Sequence, residues 1–406
     1  MTRSDPVFDV AVAGGAASGL ALAAAVKQAL GPGVAIALVD PSPAPSRPPL
    51  RTVAIAEGPR LLLDRIGAWE AIEPKAQAIV KMRIMDGGVR DAVRLPHLRF
   101  DAKEGRALAH MAFNDDVVAA LSALCARLGV ERIAASVGGF RPGARVAELV
   151  LSDGRTLRAR LAVAADGARS KLRTLAEIPA YGWNYDQAGI VATIGHEYDH
   201  EGAAEQHFLP AGPFAILPMK GRQSSIVWNE PRAEARALVA LEPDDFLRQL
   251  RLRFTPKLGE IRLASRVEAF DFRFQTARRF VGARLALVGD AAHVVHPLAG
   301  QGLNLGFRDV AALAETIVGA LRLGLDPGGA RPLATYERAR RFDIAASGMG
   351  MDLMNRLFSN DFGPLRFVRD LGLRLVDRAP RLKDLLVIEA GGAGRNAPRL
   401  LRGASL

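Results

Sequence analysis

The sequence has 406 residues, of which 49% are hydrophobic and 24% are charged, and its formal net charge is +11. This length allows two or three connected domains with a sizeable core, and a single cysteine, Cys125, excludes an internal disulfide. The positive charge comes from arginines spread along the chain and aromatic residues make up only 6%, so the composition argues against nucleic-acid binding.

The amino-terminal residues lead directly into an apolar run, without the pattern of a signal peptide. No uncharged apolar stretch reaches the roughly 18 residues that a membrane-spanning helix needs. We therefore expect a cytoplasmic protein. The arginine surplus leaves open a peripheral contact with the anionic surface of the inner membrane.

The first predicted elements form a βαβ unit. A strand at residues 8–13 precedes a glycine-rich turn and a helix to residue 30, and a second strand at 34–39 ends at Asp40. The turn reads Gly14-Gly15-Ala16-Ala17-Ser18-Gly19. Glycines let the backbone approach a pyrophosphate, the helix N-terminus supplies free amides, and the acid accepts from ribose hydroxyls. The alternative is an ordinary strand-to-helix turn.

The next elements alternate between helix and strand. The periodicity predicts a helix over 114–129 with Asn114 as its N-cap, and a hairpin whose turn contains Asp153 and Gly154. Between residues 181 and 274 the sequence pattern becomes typical of strands, with predicted strands at 189–194, 205–209, 214–217 and 224–228. These strands indicate an inserted, mostly antiparallel substrate sheet. From about residue 333 we expect helix to the end.

Two further motifs follow apolar strands. Asp166 and Gly167 open the first, and the second runs from Gly289 to Asp309. In the longer motif, Asp290 can accept from the hydroxyls of a ribityl chain, and the glycines of 300–306 let backbone amides reach a flat ring. The helix that begins there would stabilise the anion of a reduced flavin through its partial positive charge.

These three motifs, in this order, resemble the class A flavoprotein aromatic monooxygenases. The segment His-Pro-Leu-Ala-Gly-Gln-Gly-Leu-Asn-Leu-Gly at 296–306 resembles the ubiquinone-biosynthesis hydroxylases in particular. The resemblance implies an α/β fold, α+β overall, with a discontinuous Rossmann-like FAD/NAD(P)-binding domain at 1–75, 100–180 and 275–335. An antiparallel β-sheet substrate domain would occupy 76–99 and 181–274, and a helical C-terminal region 336–406.

The resemblance also implies the cofactors and their ligands. FAD would be reduced by NAD(P)H and would react with O2 to a flavin hydroperoxide, which hydroxylates the ring of a prenylated phenol or quinone precursor. Arg51 would contact the FAD phosphates or ribityl chain, Asp166 and Gly167 would serve FAD and the nicotinamide donor, and Pro297 and His296 would face the flavin. The full predicted cofactor set is Gly14, Gly15, Ala16, Ala17, Ser18, Gly19, Asp40, Arg51, Asp166, Gly167, Gly289, Asp290, Pro297, Gly300, Gln301, Gly302, Leu303 and Asn304.

Other functions remain open at this point. The chain could act on another aromatic or polyketide substrate, or serve as a flavin-bearing assembly subunit of a ubiquinone-biosynthesis protein complex. We predict no catalytic protein base, because the cofactor carries the reactive chemistry.

We predict no metal site. His196 and His200 match the zinc-protease pattern, but the residues before them read as a strand rather than a helix. His293 and His296 have no third ligand nearby in the sequence, and we interpret them as packing or hydrogen-bonding near the flavin. An apolar stripe over 365–375, flanked by arginines, indicates either a domain-covering helix or a membrane or partner contact.

Overall fold

The computed structural model describes residues 6–41, 51–86, 96–103, 106–209, 211–254, 256–295, 301–358, 383, 387, 389 and 391–406. Within these ranges the chain forms three sheets of eight, nine and three strands. The mixed α/β architecture predicted from the sequence is confirmed. The arginine-flanked stripe at 365–375 lies outside the described residues.

The eight-stranded sheet forms the centre of the predicted cofactor domain. Its main path runs in the order β18 (Val281–Gly282), β19 (Leu285–Leu287), β11 (Thr156–Ala164), β1 (Val7–Ala13), β2 (Ile36–Val39) and β8 (Glu131–Ile133). The hairpin strands β9 (Val137–Pro142) and β10 (Ala147–Leu151) extend it antiparallel to β11. The pairings from β19 to β8 are parallel.

Helices bury this sheet. Every residue of β2 is buried, as expected for a parallel strand covered on both faces. The packing helices include α1 (Ala17–Leu30), α4 (Asn114–Arg127) and α8 (Gln301–Arg322), which share one apolar core with the strands. Cys125 lies in this core, where burial raises the pKa of its thiol to about 11. It is therefore a packing residue.

The nine-stranded sheet is the inserted one. Its order is β20 (His293–Val294), β17 (Glu268–Ala277), β12 (Ala180–His196), β15 (Gln223–Pro231), β14 (Gly212–Met219), β13 (Ala203–Leu209), β5 (Lys81–Asp86) and β6 (Pro96–Asp101), with β16 (Ile261–Leu263) beside β12. All four strands predicted between 181 and 274 are confirmed. One face packs against α6 (Arg232–Val239) and α7 (Pro243–Arg251) in a second core.

A three-stranded sheet joins the two domains. It consists of β3 (Thr52–Ala56), β7 (Ala109–Phe113) and β4 (Gln77–Ile79). Ile79 and Met111 of this sheet pack against Ala204 and Met219 of the nine-stranded sheet. The small sheet thereby covers part of the face that α6 and α7 leave open. The remaining helices are α2 (Glu57–Arg65), α3 (Trp69–Ile72), α5 (Lys171–Leu175) and α9 (Ala330–Phe358).

Two local predictions are wrong. Asn114 is already the first helical residue of α4, and its N-cap is Phe113, whose side chain cannot accept a hydrogen bond. The chain is also not α-helical to its end, because residues 392–398 are turns and loop before a 3-10 helix at Arg399–Arg402. Among the described helices, none has the length and apolarity needed to cross a bilayer.

Candidate cofactor and active site

The first glycine-rich turn brings three backbones into direct contact. Gly14 has a φ of +117°, and a Cβ atom there would lie 2.2 Å from the carbonyl oxygen of Ala165. A Cβ atom on Gly19 would lie 2.0 Å from the carbonyl oxygen of Gly14. Neither position tolerates a side chain, because the neighbouring atoms belong to the backbone. The turn is therefore a surface of bare peptide groups at the end of β1.

The start of α1 suits a phosphate group. The first amides of an α-helix have no partner within the helix, and the N-cap residue, Ala16, carries only a methyl group that cannot accept from them. These amides and the helix dipole attract an anion. The Asp40 carboxylate at the end of β2 accepts a hydrogen bond from the amide of Gly15, so the predicted ribose-binding acid lies directly on the turn.

Asp290 lines a recess close to the first glycine-rich turn, because a Cβ atom on the preceding Gly289 would lie 3.0 Å from Ser18 Oγ. It belongs to a 3-10 turn, Gly289–Ala291, and its side chain is exposed. Surrounding protein nevertheless raises the pKa of the Asp290 carboxyl by desolvation, and the positive charges of His293 and Arg51 offset part of that rise. An accessible carboxylate enclosed by protein is suited to accept hydrogen bonds from a polyol chain.

Arg51 connects this recess to the substrate sheet. Its guanidinium carbon lies 5.8 Å from the ring centroid of Phe270 on β17. The same guanidinium is close enough to Asp290 to influence its pKa. One side chain therefore faces both the predicted cofactor ligand and the inserted sheet, which places the boundary between the two domains at the candidate active site.

A buried ion network fixes the backbone before Asp290. The carboxylate of Asp309, which is 0% exposed, accepts hydrogen bonds from the Gly289 amide at 2.9 Å, from His293 Nε2 at 2.6 Å and from Arg340 Nε at 2.6 Å. Burial alone would raise the pKa of Asp309, but the charges of His293 and Arg340 outweigh burial and lower it. Nearby, the Tyr336 hydroxyl donates to the carbonyl of Leu287 at 2.7 Å.

Sequence reasoning missed Asp309 and Arg340 as parts of the site. Asp309 closes the third motif and could have been noticed there, because an acid on an apolar helix face needs a partner. Arg340 lies on α9, where it also pairs with Asp343 one turn along the helix, and only the tertiary fold brings it to Asp309. His293 is buried and hydrogen-bonded, in agreement with its interpretation.

The side chains of two predicted cofactor residues, Asn304 and Asp166, form hydrogen bonds within the protein. The amide of Asn304 donates to the carbonyl of Ala54 at 2.8 Å and accepts from the amide of Ala56 at 3.0 Å, which ties α8 to β3. The carboxylate of Asp166 accepts from the Ser170 hydroxyl and from the Leu172 amide at the start of α5. A cofactor role of either residue stays a prediction.

The remaining predicted positions divide into two groups. Gln301, Gly302 and Leu303 form the first residues of α8, as the motif predicted. His296, Pro297 and Gly300 lie outside the described residues. Their proposed contacts with the flavin stay predictions.

The histidine pair of the protease-like pattern is structural. His196 ends β12 and lies 2.7 Å from the carbonyl oxygen of Tyr198 through Nδ1 and 3.1 Å from Ser224 Oγ through Nε2. His200 Nε2 lies 2.7 Å from the carbonyl oxygen of Met219. The described residues contain no cluster of three or more His, Cys, Asp or Glu side chains that could hold a metal ion.

The described site fits FAD. The glycine turn and the α1 amides accommodate a pyrophosphate, Asp40 lies where a ribose would follow, and Asp290 and Arg51 line the recess beyond. These groups contribute binding and electrostatics, whereas the redox chemistry belongs to the flavin.

Comparisons with known proteins agree with this geometry. The family model described as "FAD binding domain" matches residues 7–347. The chain is 40% identical to the ubiquinone hydroxylase UbiL of Rhodospirillum rubrum, covering 99% of this chain and 94% of that protein. It is 34% identical to the 3-demethoxyubiquinol 3-hydroxylase of Escherichia coli, covering 92% of this chain and 96% of that protein.

Solved structures share the fold. The p-nitrophenol 4-monooxygenase PnpA of Pseudomonas putida superposes with a TM-score of 0.79 at 20% identity, covering 96% of this chain and 99% of that chain. At this identity the likeness concerns the fold alone. The motifs, the site and the whole-length relatives together show that the chain belongs to the FAD-dependent hydroxylases of ubiquinone biosynthesis, within the class A flavoprotein monooxygenases.

Proposed function

We propose that this enzyme hydroxylates the aromatic ring of a prenylated phenol or quinone precursor in ubiquinone biosynthesis, using FAD, NAD(P)H and O2. The structural observation that carries the proposal is the position of Arg51 between Asp290 and Phe270. It brings the cofactor recess and the inserted sheet to one cleft. The relatives named above, which match along nearly their whole length, support the substrate class.

In this proposal each part of the chain has a separate task. The turn at Gly14 and the amides of α1 bind the pyrophosphate, and Asp290 accepts from the ribityl hydroxyls. The Asp309 network holds the Gly289 amide in place, which fixes the direction of the following carboxylate. The substrate domain, proposed as 76–99 and 181–274, positions the ring and keeps water out. When bound, FAD supplies the redox chemistry that activates oxygen.

The electron donor and the place of action belong to the same proposal. NAD(P)H would approach near Asp166 and Gly167, which follow the carboxyl end of β11, an inner strand of the eight-stranded sheet. A substrate with an isoprenoid tail is concentrated in membranes, so an enzyme with a formal charge of +11 gains from attraction to anionic lipid. We therefore place the protein in the cytoplasm, in peripheral contact with the inner membrane.

A gene deletion tests the pathway assignment. Ubiquinone should fall, and a prenylated precursor lacking one ring hydroxyl should accumulate. The wild-type gene should restore ubiquinone, whereas the Asp290→Ala gene should not, because its product retains too little FAD. Normal ubiquinone in a deletion strain without a redundant hydroxylase would reject this pathway and favour another aromatic or polyketide substrate.

A second measurement separates the enzyme from an assembly subunit of a ubiquinone-biosynthesis complex. Purified holoprotein should consume O2 and NAD(P)H in the presence of a short-chain prenylated phenol. If the deletion lowers ubiquinone but the holoprotein consumes neither with any prenylated phenol, the assembly role replaces the catalytic one.

A further inference from the structure

One face of the nine-stranded sheet lies towards the cofactor domain. The alternation of side chains along each strand shows which residues lie on this face. Ser225 Oγ lies 2.8 Å from Thr52 Oγ1 of β3, so Ser225 points towards the small sheet and the cleft. Successive residues of a strand point to opposite faces, which places Val227 and Asn229 on the same side. Ile226 and Trp228 point the other way, into the core with α6 and α7.

Neighbouring strands place two phenyl rings on this face. Gly189 pairs with Asn229 across β12 and β15. A Cβ atom on Gly189 would lie 2.5 Å from Phe272 Cζ and 3.6 Å from Asn229 Oδ1, so the ring and the amide oxygen share the space above this glycine. Phe270, two residues before Phe272, has its ring beside Arg51.

The amide oxygen of Asn229 on this face has no hydrogen-bond donor among the described residues. The residue is 4% exposed, and its Oδ1 atom is buried without a hydrogen-bond partner among the described residues. Leaving a buried acceptor unpaired destabilises the folded protein, and most buried polar groups in native proteins are paired. A ligand that supplies a donor would remove this cost. The last torsion of an asparagine side chain is soft, so the amide can turn towards such a ligand.

We propose that Asn229 is a specificity-determining residue, which accepts a hydrogen bond from the ring hydroxyl of the phenolic substrate. The inference rests on the proposed function and names how the ring is recognised. The hydroxyl donates to Asn229 Oδ1, and the rings of Phe270 and Phe272 give the substrate ring an aromatic surface. Gly189 leaves room above β12 for the Phe272 ring, because a side chain there would push that ring out of its place on the face.

Binding of two probes to wild-type holoprotein and to Asn229→Leu tests this inference. The probes are 2-geranylphenol and its methyl ether, which keeps the ring and the tail but has no hydroxyl donor. Wild-type protein should bind the phenol about tenfold more tightly than the ether, because one hydrogen bond contributes roughly 1 kcal/mol and removes the cost of the unpaired oxygen. Asn229→Leu should bind both probes with equal affinity.

Controls separate recognition from a general loss of structure. Asn184→Leu makes the same exchange at an exposed position of β12 and should keep the tenfold preference. FAD content and melting temperature report the integrity of each variant. Asn229→Ala adds no bulk and should also lose the preference for the phenol over its methyl ether. This variant replaces Asn229→Leu in the test if the leucine variant does not fold.

The outcomes distinguish this inference from the proposed function. If wild-type protein binds both probes equally, or if Asn229→Leu and Asn229→Ala keep the preference, the role of Asn229 is overturned while a prenylated substrate stands. If wild-type protein binds neither probe, the substrate class itself is wrong and the inference fails with it.

Discussion

The two large sheets offer different kinds of binding surface. In the sheet of the proposed cofactor domain, β1 ends in bare backbone at Gly14, and every residue of the parallel strand β2 is buried. The proposed substrate sheet is mostly antiparallel, and its face opposite α6 and α7 carries Asn229, whose Oδ1 atom has no hydrogen-bond partner in the described part of the chain. In our proposal a nucleotide is thus bound chiefly by peptide groups and a substrate by side chains. The first kind of site leaves a glycine pattern in the sequence, and the second does not.

The largest effect is expected from a comparison of the same substitution at two glycines, one in α1 beside the eight-stranded sheet and one in the nine-stranded sheet. Gly19→Ala places a methyl group against the backbone oxygen of Gly14, which cannot move away, so the purified protein should contain almost no FAD. Gly189→Ala meets the end of the Phe272 ring, which can shift, so this variant should retain full FAD while binding phenols more weakly. Flavin absorbance per mole of protein measures both. Full FAD occupancy in Gly19→Ala would contradict the view of a backbone-built site.

The next largest effect is expected on the stability of the protein, at Asp309, whose carboxylate accepts a hydrogen bond from the Gly289 amide. Asp309→Asn removes a buried charge from His293 and Arg340, and we expect a loss of about 3–5 kcal/mol of unfolding free energy at neutral pH. Because the folded-state pKa of Asp309 is lowered, its stabilisation is present above the ordinary aspartate pKa of about 4 and is lost as the pH falls through the lower folded value.

Urea unfolding at several pH values checks this prediction. The difference between wild type and Asp309→Asn should shrink in strong acid. Asp153→Asn, at an exposed hairpin turn, is the matched control and should leave the neutral-pH stability nearly unchanged. A difference that stays constant down to strong acid would exclude ionised Asp309 as the source of the stabilisation.

A smaller effect is expected at the ribityl recess. Asp290→Ala should fold but bind FAD more weakly by roughly 1.5–3 kcal/mol, or about one to two decades in affinity. The pKa of Asp290 is raised in the folded protein. Ionised Asp290 therefore lowers the free energy of unfolding at pH values above the ordinary aspartate pKa. The apoprotein of the variant should therefore melt at or above the wild-type temperature at neutral pH. Wild-type flavin affinity in a titration would reject the assignment.

The smallest effect is expected at Ala16, where a methyl group stands at the N-cap of α1. Glycine is a better N-cap than alanine and removes bulk beside the predicted pyrophosphate. Ala16→Gly should therefore bind FAD at least as tightly as wild type, with a gain of less than about tenfold, or 1.4 kcal/mol. A severe loss of FAD would mean that this turn does not bind phosphate as proposed.

The contrast between a site built from backbone and a site built from side chains also explains how much of the structure could be predicted from the sequence. The βαβ unit, the inserted strands and Asp40 beside the glycine turn follow from local patterns, and the structure confirms them. The salt bridge between Asp309 and Arg340 joins two helices, and no local pattern specifies it. Asn229 could not be singled out either, because its importance depends on Gly189 and Phe272 of neighbouring strands. The N-cap of α4 was predicted one residue late, because the preference of asparagine for N-cap positions pointed to Asn114, whereas the helix already begins at that residue.

The discontinuous cofactor sheet has a consequence for the order of assembly during translation. Strand β19 pairs with β11, although strands β12 to β17 of the substrate sheet are synthesised between them. Arg340 of α9, which closes the salt bridge to Asp309, leaves the ribosome later still. Contacts this distant in sequence form slowly, since the long loop between them must close first. We therefore expect only a nearly finished chain to capture FAD, which would make cofactor loading a late step of maturation.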